Sequence, residues 1–236
     1  MTEQRTDEFL GWMGQHAYDT KAGQASTGMR AGISLTAVRG SDAADWLLRL
    51  GAAREAVEAA VPYRDYRLPD PPEPVSPAQP YSVSMFGTCG EWTYVLEDDL
   101  AATWFLAQFD NPGVLPRPEE EMVCVSLNLH DAPGMIAYSP PGTGDVWTAE
   151  FGRGLLEDAF GTVDDPSGEL SAFDEALARA GAMYSRLDSP RPWPEIRAEE
   201  WAAAVYRAVG RHFGISVSRA EVEQGLLPAV ALPLPQ

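Results

Sequence analysis

Six prolines fall within the thirteen residues from Leu68 to Pro80. Each lacks a backbone N–H and fixes φ, so neither a helix nor a sheet ladder survives that density. The stretch reads as an extended surface connection over residues 68–80, and regular structure has to be sought on either side of it. The residues that precede it are too few to enclose a core of their own. Residues 1–236 are therefore expected to form a single domain.

Before the prolines, Phe9, Trp12, Met13, His16 and Ala17 recur at helical spacing between Asp7 and Asp19, which makes one apolar helix face. Ile33 to Val38 alternates apolar and polar residues with β-branching, the pattern of a half-buried strand. After Gly40, Ser41 offers an N-cap, with Asp42 and Asp45 near the positive helix end and Gly51 where the helix should stop. A second short helix is expected over 53–60. Beyond the prolines, Tyr81 to Phe86 and Trp92 to Glu97 predict a hairpin, with Gly87, Cys89 and Gly90 in the turn. Met122 to Leu129 is almost continuously apolar, which suits a central strand. Met135 to Tyr138 and Val146 to Phe151 continue the meander, and a short helix is expected over 101–109.

The last third is helical in pattern. Ser171 with Asp174 resembles a capping box, as does Ser218 with Glu221. Trp201, Val205, Ala208 and His212 form a helical stripe between them, and Leu226 to Pro235 reads as an apolar tail. The fold class that follows is α+β: a mainly antiparallel central sheet of about five to six strands, flanked by N- and C-terminal helices.

Charge narrows the function. Thirty-five acids against seventeen bases give −18, and the excess is concentrated. Glu91 to Glu121 holds eight acids and one base, and Glu157 to Glu175 holds seven acids and none. Such a field repels phosphate backbones and attracts a basic protein, so no nucleic-acid partner is expected. No stretch reaches the roughly 18 uncharged apolar residues of a membrane span, and no secretory leader is visible, which predicts a cytoplasmic protein without a membrane partner. Cys89 and Cys124 are far apart and read as free thiols. No CxxC or HxxxH spacing occurs, so neither metal nor cofactor is expected.

Catalytic groups are sparse. His16 and His212 fall on apolar helix faces, whereas His130 precedes Asp131 in a turn, where scaffolds often place functional groups. Cys124 and His130 would share a strand face yet stand about 20 Å apart at about 3.3 Å per residue. Cys89 could approach His130 from the neighbouring hairpin. There is no GxSxG elbow, and Pro141-Gly142-Thr143-Gly144-Asp145 lacks the lysine and following helix of a phosphate loop. Glu97-Asp98-Asp99 and Glu119-Glu120-Glu121 lack calcium-loop spacing and read as solvated acidic loops. Trp104 and Phe105 lie between them, an aromatic anchor ringed by carboxylates.

Several segments also resemble a known family. Gly32-Ile33-Ser34-Leu35-Thr36-Ala37-Val38-Arg39-Gly40 with Leu48-Arg49-Leu50-Gly51-Ala52, then Gly90 to Glu97, Ser126 to Leu129 with Met135 to Tyr138 and Trp147 to Phe151, and His212 to Val217 running into Leu226-Leu227-Pro228 carry the likeness. Together they resemble the mainly actinobacterial domain of unknown function 6461. The resemblance implies a sheet-centred domain and brings no activity or catalytic residue with it.

The leading expectation is a non-enzymatic, immunity- or antitoxin-like or accessory protein. It would engage a basic partner through Glu97, Asp98, Asp99, Trp104, Phe105, Glu119, Glu120 and Glu121. A second expectation is a small-molecule-binding protein or enzyme with a pocket near His130, Cys89 and Trp104. A third is a structural subunit.

Overall fold

The computed structural model describes residues 9–16, 27–29, 32–66, 81–98, 101, 112–127, 134–158, 165–183 and 198–234. The proline connection at 68–80 and, past Ala101, the helix expected over 101–109 lie outside these residues.

One sheet of eight strands organises the described residues. The strands are β1 (Ile33–Arg39), β2 (Val61–Pro62), β3 (Tyr81–Cys89), β4 (Trp92–Asp98), β5 (Glu121–Ser126), β6 (Met135–Ser139), β7 (Trp147–Glu150) and β8 (Pro228–Pro233). They lie in the order β2-β8-β3-β4-β1-β5-β6-β7, and every neighbouring pair is antiparallel. The expected α+β class holds, with a larger sheet than the sequence pattern implies. The additions are β2 and β8. What reads as an apolar tail is a strand paired on both sides, Val83 facing Ala231 and Val61 facing Ala229. Its prolines, Pro228 and Pro233, stand at the first and last positions, where they interrupt the ladder least. The hairpin is also tighter than predicted. Cys89 belongs to β3 and pairs with Trp92, leaving a two-residue loop in which Gly90 takes the left-handed φ of 59° that such loops require.

Helices cover both faces of the sheet. On one side lie α1 (Gly11–His16), α5 (Glu169–Arg179), α6 (Ala198–Phe213) and α7 (Arg219–Glu223), packing Trp12, Phe173, Tyr206 and Val222 against Leu35, Val123, Val125 and Tyr138. On the other lie α2 (Ala43–Arg49) and α3 (Arg54–Glu58), where Trp46 and Leu47 meet Val38, Met122, Cys124 and Val230. This division is strand alternation made visible: Ala37 and Val38, or Val123 and Cys124, go to opposite cores. The Tyr206 hydroxyl ties α6 to the sheet by donating to the carbonyl of Ile33.

Helix starts follow the acids more than the serines. Asp42, rather than Ser41, caps α2 by accepting from the Asp45 N–H. Ser218 caps α7 as its pattern predicts, accepting from the Glu221 N–H. The expected box at Ser171 and Asp174 is different. Helix α5 begins two residues earlier, and Asp165 accepts from both the N–H and the hydroxyl of Ser171. Asp174 instead accepts from the N–H groups of Leu155 (2.7 Å) and Leu156 (3.1 Å), capping α4 (Leu155–Asp158).

Candidate functional site

Sheet register assembles a row that sequence spacing could not show. Cys89 faces Trp92, Trp92 faces Arg39, and Arg39 faces Glu121, so four residues from β3, β4, β1 and β5 cross one end of the sheet. The Arg39 guanidinium lies 5.3 Å from the Trp92 ring centroid and forms an ion pair with Glu121. From β6, the Tyr138 hydroxyl donates to Glu121 Oε1 at 2.8 Å. The C-terminal end of α6 closes over the row, with Phe213 5.5 Å from Trp92 and 5.1 Å from Tyr138, ring centre to ring centre. His212 lies 5.3 Å from Phe173 of α5.

Burial dominates the electrostatics here. It raises the Glu121 carboxyl, against the opposing hydrogen bond from Tyr138 and the charge of Arg39; Glu169 of α5 adds to the rise. It raises the Tyr138 hydroxyl beyond its usual range, with help from the Glu121 charge. It lowers His212, an effect that Glu169 opposes and Arg179 reinforces. The result is a carboxyl that takes up a proton more readily than a free glutamate, beside a guanidinium whose side chain is 43% exposed.

Cys89, at the end of this row, is half-buried. Its sulfur accepts from the Ser216 N–H at 3.4 Å, lies 3.5 Å from the Ser216 hydroxyl, and its thiol points to the Gly214 carbonyl at 3.7 Å. His130 and Trp104, expected beside it, lie outside the described residues. Cys89 is level with Glu121 at the start of β5, whereas Leu127, the last described residue before His130, follows its other end. Cys124 is fully buried, accepts from the Thr36 hydroxyl at 3.3 Å, and burial pushes its thiol up to about 12. Both cysteines are free thiols.

The acidic residues read as solvated loops need correction. Glu97 (2% exposed), Glu120 (0%) and Glu121 (4%) are buried. Glu120 accepts from Arg49 at 2.6 Å and from the Arg117 backbone N–H at 2.8 Å. Glu97 sits within β4, opposite Ser34. None of the three offers its carboxylate to a partner as an exposed loop would. Asp98 and Glu119 are exposed, but at opposite ends of β1: Asp98 faces Ile33, while the Glu119 carbonyl abuts Gly40. Asp99, Trp104 and Phe105 lie outside the described residues.

The residues that sequence reasoning missed are Arg39, Trp92 and Tyr138. The sequence pattern placed Trp92 and Tyr138 on strands and left Arg39 one residue past the predicted end of its own, and only register brings the three together. Among the described residues, no group of three or more histidines, cysteines or acids is placed to hold a metal ion, and no helix is long and apolar enough to cross a membrane. Compared with family models, curated proteins and solved structures, the chain matches none.

Proposed function

We propose that the protein acts by binding a basic protein partner rather than by catalysis, in an immunity-like, antitoxin-like or accessory role. One observation carries this reading. Arg39, Arg49, Arg64, Arg117, Arg153 and Arg219 are each ion-paired with the protein's own carboxylates. Six of its seventeen bases are thus occupied internally, and the surplus of acids is left to face solvent and whatever approaches.

The burial of Glu97, Glu120 and Glu121 moves the focus to Asp98 and the chain that follows it. Asp98 is exposed where β4 ends, and the next residues include Asp99, Trp104, Phe105 and Asp110. Aromatic groups among carboxylates suit recognition of lysine- or arginine-rich surfaces.

Affinity capture from the native lysate tests this, using the wild type and a variant combining Asp98→Asn, Asp99→Asn and Trp104→Ala. A basic protein recovered in stoichiometric amount, weakened by salt and lost with the variant, is the expected result. A partner indifferent to both salt and the substitutions overturns the reading.

A further inference from the structure

Helix α6 carries Glu200, Ala203, Ala204 and Arg207 at i, i+3, i+4 and i+7, along one face. This face borders a cavity of about 350 Å³, which Gln15 of α1 and Ala180 and Gly181 at the end of α5 border from other sides. That volume is within the range of small-ligand sites, roughly 300–1,000 Å³. The floor is kept low by the crossing of α1 over α6. A Cβ on Gly14 would run into the Ala203 backbone, so the helices meet through glycine and alanine.

Arg207 stands at one end of this slot, half-buried. Its side chain lies beside Gly11, where an added Cβ would be 3.7 Å from Nε. Nε itself is buried and, among the described residues, has no hydrogen-bond partner, nor does any described carboxylate pair with Arg207 as one does with Arg39, Arg49 or Arg117. Leaving a buried donor unmet costs free energy. In a chain with twice as many acids as bases, scarcity of acids does not explain it. Glu200, seven residues earlier, is displaced by about 10.5 Å along the helix axis at 1.5 Å per residue.

We propose that this slot binds a molecule bearing a single carboxylate, which Arg207 receives through paired N–H donors. The rest of the ligand lies over Ala203, Ala204 and Trp201. Glu199 at the far end opposes a second negative charge, so a multiply charged anion such as phosphate is disfavoured. The carboxylate belongs either to a peptide C-terminus or to a free organic acid.

Calorimetric titration of the full chain with trialanine, trialanine amide, propionate and inorganic phosphate decides between these sources. Saturable binding of trialanine but not propionate identifies a chain end, and the reverse identifies a free acid; either supports the site. Loss of roughly tenfold or more in affinity is expected for trialanine amide and for Arg207→Gln. Ala180→Leu, which narrows the slot without touching the guanidinium, is expected to weaken binding as well, and thermal melting verifies that both variants fold. The proposal is overturned by equal binding to Arg207→Gln, by phosphate or the amide binding as well as the acid, or by no saturable binding of any probe up to about 10 mM.

Discussion

The two acidic stretches put the same kind of side chain to different uses. In the first, from Glu91 to Glu121, carboxylates turn inward and meet guanidinium groups: Glu120 holds Arg49, and Glu121 holds Arg39. In the second, from Glu157 to Glu175, they meet backbone N–H groups at helix starts. Asp174 caps α4 and Asp165 satisfies the first turn of α5. A run of acids is therefore a poor guide to surface charge by itself. Opposite an arginine it fastens a sheet end; ahead of a helix it supplies missing acceptors.

The contrast predicts a graded series. The largest effect belongs to Glu120→Ala, which leaves Arg49, with only 12% of its side chain exposed, the longer contact to Asp45 at 3.5 Å in place of the 2.6 Å pair. Breaking a buried pair from one side costs about 3 kcal/mol, and urea denaturation should show the midpoint falling accordingly. A loss within about 0.5 kcal/mol would place Glu120 with the surface acids. Asp174→Ala comes next. It removes the acceptor for two N–H groups of α4, worth about 1–2 kcal/mol by the measure of helix caps, and exchange of the Leu155 and Leu156 amides should accelerate more than that of the sheet.

Acid titration separates the stretches by sign. Burial raises Glu121, so its ionised form weakens the fold at high pH, and stability should rise as pH falls through the raised value toward the ordinary 4.5. Asp165 behaves oppositely. Slight burial raises it, but hydrogen bonds from the Ser171 hydroxyl and the N–H groups of Ser171, Leu170 and Gly168 outweigh that and lower it. Its contribution is present above the ordinary 3.8 and is lost as pH falls through the lowered value. Glu121→Gln should therefore flatten the pH dependence above 4.5, and Asp165→Asn that below 3.8, when melting is followed against pH. The smallest change is reserved for a pair outside both stretches. Glu223→Gln, which breaks the surface contact to Arg219 at 2.8 Å, should cost no more than about 0.5 kcal/mol.

What the sequence made legible was local. The β1 strand shows in the alternation of Ile33 to Val38, the α7 cap in Ser218 and Glu221, and the meander in its turn residues. These depend on neighbours a few positions away. Non-local pairing was not legible. Nothing near Leu226 announces that β8 lies between β2 and β3, because its prolines argue against a strand until their end positions are known. The depth of Glu120 was hidden as well, since three consecutive glutamates look solvated unless Arg49 is known to reach across from α2. The row from Cys89 to Glu121 needed three separate registers to be fixed at once.

Strand β8 has a consequence for how the chain is made. It is the last described strand in sequence, yet it sits second from one edge of the sheet, between β2 and β3. While a ribosome is still synthesising the residues between Val83 and Ala231, the outer rim of β3 has no native neighbour. Exposed strand rims recruit other chains. The newborn polypeptide thus passes through an adhesive interval that ends only when its final ladder zips shut.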